Sequence, residues 1–467
     1  MCNLRLSNLA VAWLVAAVGS AAGIHPRRPS LTPPPPLENG CRIEATEFDG
    51  WHAQQMTNRW LTLTLVPKLG GRLMQVSFGG HPFLFVNPRY RGQYFPPSED
   101  ARTWFNYGGD KIWPMPEGSQ DDQHWPGPIS DPLDDGDYAF HVLSQAPQCV
   151  VRLDGPPDAR TGLQYSREIR IGSDSPKISF YATMKNASTH PIRWSVQSVT
   201  QYDAGDQTDR ATYNHDFWAF TPASEHSSYL DRYHVRSGLA EDPSYSVKDQ
   251  IFSLRWLYVQ GEVWIDSPVG WLAVVDGSSR FAIVERFHFD GAAEYPGRAT
   301  VIFYKNGPAV ELDSNGRAVN RTGTEDAPFY MEAELNSPMV QLASGESYTF
   351  DTEWFPTRIG SDFKNATDAG VIGESLKASA TAESVKLSGT VGVFFPGKLA
   401  ARFYDSKGTD LSTISLQDVD PAQIVNLNQE IKAPTAAAKV SIRLLSRDGA
   451  DRGSLSDAEI TRHTGGS

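Results

Sequence analysis

Cysteine is scarce in this chain: only Cys2, Cys41 and Cys149 occur among 467 residues. With no Cys-x-x-Cys pair and no His-Glu-x-x-His, the sequence offers neither a structural zinc site nor a zincin centre. Positive charge is short as well. Lys and Arg number 42 against 55 Asp and Glu, a net charge of −13, and without clustered cations neither nucleic acid nor an anionic membrane surface is a fitting partner. Beyond the N-terminal stretch nothing approaches the ~18 consecutive apolar residues of a membrane-spanning helix, so membrane insertion is not expected. Gly-x-Ser-x-Gly is missing, which leaves Ser-His-Asp chemistry without its usual elbow. The acid-rich stretch Asp131 to Asp137 does not make an EF-hand, because Leu133 stands where Asp or Asn is needed and Val142 where the bidentate Glu belongs. No metal or cofactor signature is therefore read.

What is present begins with an export pattern. Arg5, the apolar run Leu9 to Val18 and the small residues Ser20-Ala21-Ala22 read as a signal peptide over residues 1–22, which predicts a secreted or periplasmic protein. Loss of Cys2 with that signal leaves Cys41 and Cys149, which either pair in an oxidising compartment or stay free; sequence spacing does not decide between the two. Residues 23–41 carry the run Pro33 to Pro36 and read as an extended linker.

From Arg42 onward the pattern is two-fold. Leu61, Leu63 and Leu65 alternate with threonines; Met74, Val76 and Phe78 with Gln75 and Ser77; Ile178, Phe180, Ala182 and Met184 with polar or smaller residues. Such alternation predicts half-buried antiparallel strands, and amphipathic helices are almost absent. The fold class read from this is all-β: a large antiparallel sandwich over 42–358, then a small immunoglobulin- or fibronectin-like β-sandwich over 371–467. Residues 205–250 are polar and weakly patterned, an excursion between strands and a candidate second wall for a cleft.

Three stretches carry candidate chemistry. Trp104 to Trp125 has Gly and Pro punctuation but also three tryptophans, Asn106, Tyr107, Asp110, Lys111, Glu117 and His124. Sugars stack on aromatic faces while acids and amides take their hydroxyls; a loop pinned to the core by its tryptophans fits the same letters. In Phe329 to Asn336, alternation sets Tyr330, Glu332, Glu334 and Asn336 on one face, the two carboxylates ~7 Å apart along the strand. Arg193 to Asp203 puts Gln197 and Gln201 on one face, a register for sugar hydroxyls or a solvated outer face. Glu285 and His288 fall on opposite faces of their strand, so at most one enters a given cleft.

The strand Trp60 to Val66 followed by Pro67-Lys-Leu-Gly-Gly-Arg-Leu-Met-Gln-Val-Ser-Phe-Gly-Gly80 resembles the opening of the galactose mutarotase-like (aldose 1-epimerase) β-supersandwich. Glu332-Ala-Glu334, then Pro338, Leu342 and Ser344-Gly-Glu, resembles its close. The resemblance covers roughly residues 42 to 357 and is closest to uncharacterised secreted bacterial members with Tyr-Gly-Gly-Asp-Lys-x-Trp-Pro, here Tyr107 to Pro114. It implies a carbohydrate ligand, with Glu334 (or Glu332) as the base that takes the anomeric proton. The family's two histidines are not matched: Gln201 lies nearest one position, and Asn106-Tyr107 precede Gly108-Gly109 at the other. Lys111 or His124 is then the implied acid, and Asn106, Tyr107, Asp110, Trp113, Glu117, Trp125, Gln197, Gln201 and Glu332 the implied sugar-binding set. Epimerase-like proton transfer, polysaccharide cleavage by a lyase or hydrolase, and glycan binding without catalysis are the functions left open.

Overall fold

Alternating apolar residues dictate sheets, and strands dominate the computed structural model, which describes residues 40–98, 103–118, 123–312, 318–322, 327–381 and 384–462. The export signal and nearly all of the predicted linker lie outside these residues. No α-helix occurs among them.

The first sheet has 12 strands. Along it run Arg42–Phe48, Trp51–Thr57, Leu61–Val66, Arg72–Phe78, Asp110–Met115, Ile192–Asp203, Tyr330–Asn336, Val301–Lys305, Gly261–Ile265 and His234–Ser237. The second, of 10 strands, is centred on Trp271–Asp276, Phe281–Phe287, Ser347–Arg358 and Ile178–Asn186. Between the two lies the main core, where Leu61, Leu63, Leu65, Val76, Phe180, Met184, Val301, Met331 and Trp354 are buried. Burying alternate side chains of both sheets is what makes the two-fold pattern stable, because each apolar face leaves water against the other.

Two departures from simple alternation are instructive. Thr64 pairs with Gln75 but Leu65 pairs with Leu73, so Met74 is the extra residue of a bulge. It therefore leaves the main core that takes Leu73 and Val76 and joins Trp51, Val66 and Tyr107 in a smaller cluster. Trp271–Asp276, by contrast, is buried along its whole length. Leu272 and Val274 face the main core, while Trp271, Ala273 and Val275 meet Phe355, Phe363 and Phe394 on the other side.

Ala366, Val371 and Phe394 of that layer come from the C-terminal part of the chain, whose strands from Asn365 to Arg462 form a 9-stranded sheet around their own core of Leu387, Val393, Leu399, Phe403, Val440 and Ile442. Trp60 Nε1 donates to Asp420 Oδ1 at 3.1 Å and Arg286 Nη1 to Asp368 Oδ1 at 2.7 Å, tying this sandwich to the larger one. Cys41 and Cys149 form a disulfide, Cα to Cα 5.9 Å. It fastens the start of the first sheet to the Gln148–Pro157 strand of the second.

Candidate functional site

Strand alternation builds the site. In Tyr330–Asn336, Met331, Ala333 and Leu335 are fully buried in the core, which turns Tyr330, Glu332 and Glu334 toward a cavity of about 400 Å³ on the opposite face of the sheet. Cross-strand register then places the neighbours. One row runs Lys111, Val199, Glu334, Ile302, Trp264; a second runs Trp113, Gln197, Asn336; a third runs Gln201, Glu332, Tyr304, Glu262. Side chains in one row stand on the same face at the ~4.8 Å strand spacing. Five adjacent strands thus present a polar grid where sequence showed separate stretches.

Hydrogen bonds fix the grid. Gln197 Nε2 donates to Glu334 Oε2, and Gln201 Nε2 donates to Glu332 Oε1 at 2.6 Å. Lys111 Nζ lies 3.4 Å from Glu332 Oε1 and 4.3 Å from the Trp113 ring centre. Trp113 is held from behind: its indole N–H donates to Asp134 Oδ1 at 2.8 Å, Trp104 Nε1 donates to Asp134 Oδ2 at 3.1 Å, and Arg72 Nη2 donates to Asp134 Oδ1 at 2.7 Å. The acid-rich stretch is therefore the anchor of the aromatic wall. Among the described residues no group of three His, Cys, Asp or Glu is placed to hold a metal ion.

Four carboxyls meet at the cavity: Glu117, Glu262, Glu332 and Glu334. Burial, then the charges of Glu332, Glu262 and Glu117, holds the Glu334 carboxyl well above the ordinary range, with Lys111 opposing. Burial, Glu262 and Glu332 raise Glu117; burial, and less strongly Glu332, raise Glu262 against the hydrogen bond it takes from Trp264; Arg236 opposes both shifts. Lys111 is pushed down by burial, against the pull of Glu332. Burial and acidic neighbours thus favour the protonated form of Glu334, which stands beside Glu332 at the Lys111 ion pair.

Of the residues expected from sequence, Trp113, Glu117, Gln197, Glu332 and Glu334 line the cavity. Lys111 and Gln201 are buried beside it and touch Glu332. Four expectations are corrected. Asp110 falls on the core face by alternation with Lys111, where it pairs with Arg167 and accepts from Thr200 Oγ1 at 3.0 Å. Tyr107 is fully buried with Trp51 and Met74, and its hydroxyl accepts from Phe95 N at 3.1 Å. Asn106 is half-buried outside the cavity lining, its Oδ1 accepting from Gly108 N at 3.2 Å. Trp125 is fully buried, its N–H donating to Asp131 Oδ2 at 2.9 Å. Its backbone brackets Glu117 instead, taking Gly118 N and giving to Pro116 O, each at 2.9 Å. His124 does not line the cavity; a Cβ on the rim residue Gly118 would lie 3.7 Å from its ring.

The residues that sequence reading missed come from the far half of the sheet: Arg236, Gln260, Glu262, Trp264 and Tyr304. A signal existed. Gly261–Ile265 reads Gly-Glu-Val-Trp-Ile, with Val263 and Ile265 fully buried and Glu262 and Trp264 on the other face. Arg236 and Ser237 come from the 205–250 excursion, which does supply a cavity wall.

No family model matches the chain, and no curated protein does. Among solved structures, a galactose mutarotase-like protein from Clostridium acetobutylicum is similar at 9% identity and a TM-score of 0.41, over 68% of this chain and 99% of that one. One from Lactobacillus casei is similar at 10% identity and a TM-score of 0.39, over 67% and 99%. A TPR-domain containing protein from Parabacteroides distasonis is similar at 13% identity and a TM-score of 0.43, over 66% of this chain, which spans 47% of that protein. At such identities the likeness concerns the backbone and not the side chains of the site.

Proposed function

We propose that this chain is an exported carbohydrate-active protein that binds a saccharide in the Glu334 cavity and moves a proton on it, in the manner of an aldose epimerase. The observation that carries the reading is the pairing of Glu332 with Glu334. One carboxyl is ion-paired to Lys111 and the other is driven toward its protonated form by burial and its acidic neighbours, two residues apart on one strand and facing one cavity. Two carboxyls whose surroundings drive their proton affinities apart are suited to acceptor and donor roles on one substrate. Glu332 takes the proton of an anomeric hydroxyl while Glu334 gives one to the ring oxygen. The ring opens, the carbonyl carbon turns, and reclosure with the transfers reversed yields the other anomer. Trp113 supplies a stacking face, and Gln197 orients Glu334. The Cys41–Cys149 disulfide supports export, since such bonds persist in oxidising compartments.

Polarimetry of freshly dissolved aldoses tests the chemistry. Glu334→Gln should slow mutarotation ~10²- to 10⁴-fold, the usual share of one acid–base group, with the variant's melting temperature checked alongside. Equal rates for variant and parent would remove the proton-transfer claim. A second reading, glycan binding without turnover, is favoured by the cavity lining, which among the described residues holds carboxyls, amides and aromatic rings and no histidine; saccharide binding by calorimetry with no rotation change in the parent would select it.

A further inference from the structure

The cavity is unusual in its balance of charge. Glu117, Glu262, Glu332 and Glu334 line it, and among the described residues one cation, Arg236, lines it with them. Lys111 is buried and spent on Glu332. Arg236 belongs to the edge strand and lies 5.8 Å from the Trp264 ring centre, so it sits at the rim.

Two of the carboxyls have unfilled capacity. Glu334 is 6% exposed; one oxygen accepts from Gln197, and the other has no hydrogen-bond partner among the described residues and meets the cavity. The Glu117 carboxyl makes no hydrogen bond or ion pair among them. Acids gathered this way hold on to protons in the free protein, because ionising together would set like charges side by side; a neutral hydroxyl changes that little and a carboxylate-bearing sugar would worsen it. A cation lets them ionise. The walls suit one as well, because Trp113, Trp264 and Tyr304 line the same space and aromatic faces attract a cation within ~6 Å.

We infer that the saccharide taken by this site is an amino sugar, its ammonium received among Glu117, Glu262, Glu332 and Glu334. The inference rests on the sugar-site reading above and names the class of sugar. Glu262 and Glu332 flank Tyr304 in one cross-strand row, and Glu334 is two residues from Glu332 on the same strand. An ammonium over that row therefore meets carboxyls on either side while the rest of the ring reaches Trp113.

Calorimetry on the full chain separates the possibilities. Glucosamine, galactosamine and their disaccharides are compared with the N-acetylated and unsubstituted counterparts at about pH 7, below the roughly 7.7–8.0 of an α-amino group, and in buffers of different ionisation heat, since carboxyls that ionise to take an ammonium release protons as it binds. The amines should bind at least about tenfold tighter, and their preference should shrink as salt is raised. Glu117→Gln and Glu262→Gln, at positions that are not fully buried, should each narrow the preference, with thermal melting confirming that the variants fold. N-acetylated or hydroxyl sugars binding as tightly as the amines would overturn the amino-sugar inference and leave the sugar site standing. Failure of all three kinds to bind would overturn both.

Discussion

Asp134 is the residue on which the site wall and the fold depend together. Its two oxygens take the indole N–H groups of Trp104 and Trp113 and the guanidinium of Arg72, all at 2.7–3.1 Å, and the Asp134 and Arg72 side chains are wholly buried. Asp134→Ala would strand Arg72, about 3–5 kcal/mol, and leave the buried Trp113 N–H without an acceptor, about 1–3 kcal/mol, with a smaller loss at the half-buried Trp104. That sum rivals the ~5–15 kcal/mol by which domains are stable, so the alanine variant should fail to accumulate folded. Asp134→Asn is the working variant because it keeps an acceptor oxygen and the volume. Asp135 stands 3.9 Å from Arg72, its carboxyl pushed up to about 8 by burial and by Asp134. Removing the Asp134 charge lets Asp135 ionise more readily and take part of the pairing, which places the expected loss near the lower limit, about 3 kcal/mol.

Urea unfolding followed by tryptophan fluorescence measures that loss. Trp104→Phe, which deletes one N–H donor and keeps a ring, should cost less alone than in sum with Asp134→Asn: a double-mutant cycle should return a coupling of about 0.5–3 kcal/mol. Saccharide affinity should fall with Asp134→Asn, because both indoles line the cavity. A change below ~1 kcal/mol with no coupling would refute the role of Asp134 as anchor. A full stability loss with unchanged affinity would refute the link from anchor to site.

The remaining predictions concern the scaffold. Replacing both Cys41 and Cys149 by serine opens a loop of 108 residues and should lower unfolding stability by about 4 to 5 kcal/mol; an unchanged urea midpoint would contradict the bond's contribution. Burial pushes Asp131 to about 7 and Asp135 and Glu285 to about 8, above the ~3.9–4.3 of an unfolded chain. Folding thus binds protons between those values; the stability these groups give is complete below about pH 4 and is lost as pH rises toward 8. The urea midpoint should accordingly be higher at pH 5 than at pH 8, and the reverse order would sink the assignment. Arg167→Met leaves Asp110 buried with Thr200 as its remaining donor and should cost about 3–5 kcal/mol, read by the same unfolding curve.

Much of the fold was legible because the strands alternate faithfully where one face meets the core. Leu61, Leu63 and Leu65, or Met331, Ala333 and Leu335, could hardly face anything else once their partners were threonine or glutamate. Alternation failed at Met74, where a bulge added a residue that no letter announces; pairing register with another strand decides it, and that is non-local. Cys41 and Cys149 were likewise ambiguous, since 108 residues of separation say nothing of a 5.9 Å approach.

The site was legible in its parts and not in its assembly. Tyr330 to Asn336 disclosed its polar face because a single strand contains both sides of the comparison, and Gln197 followed by the same logic. The Trp104 to Trp125 stretch misled because no period told which residues faced one way before the strand began at Asp110. Gly108 and Gly109, at φ of 92° and 74°, turn the chain just there, and a Cβ on Gly108 would stand 2.2 Å from the Phe85 carbonyl oxygen. Those glycines bury Tyr107 in one cluster and deliver Lys111 and Trp113 to another, so residues adjacent in sequence part company in space. Glu262 and Tyr304 were passed over for the opposite reason. Each sits on a short strand that looks unremarkable alone, and only the pairing of Gly261–Ile265 with Val301–Lys305 and of that strand with Tyr330–Asn336 sets them beside Glu332. The acidity of the cavity is therefore a property of sheet order. It follows from three strands distant in sequence agreeing on one face, and that agreement drives the Glu334 carboxyl toward its protonated form where, alone on a solvated strand, it would be an ordinary carboxylate.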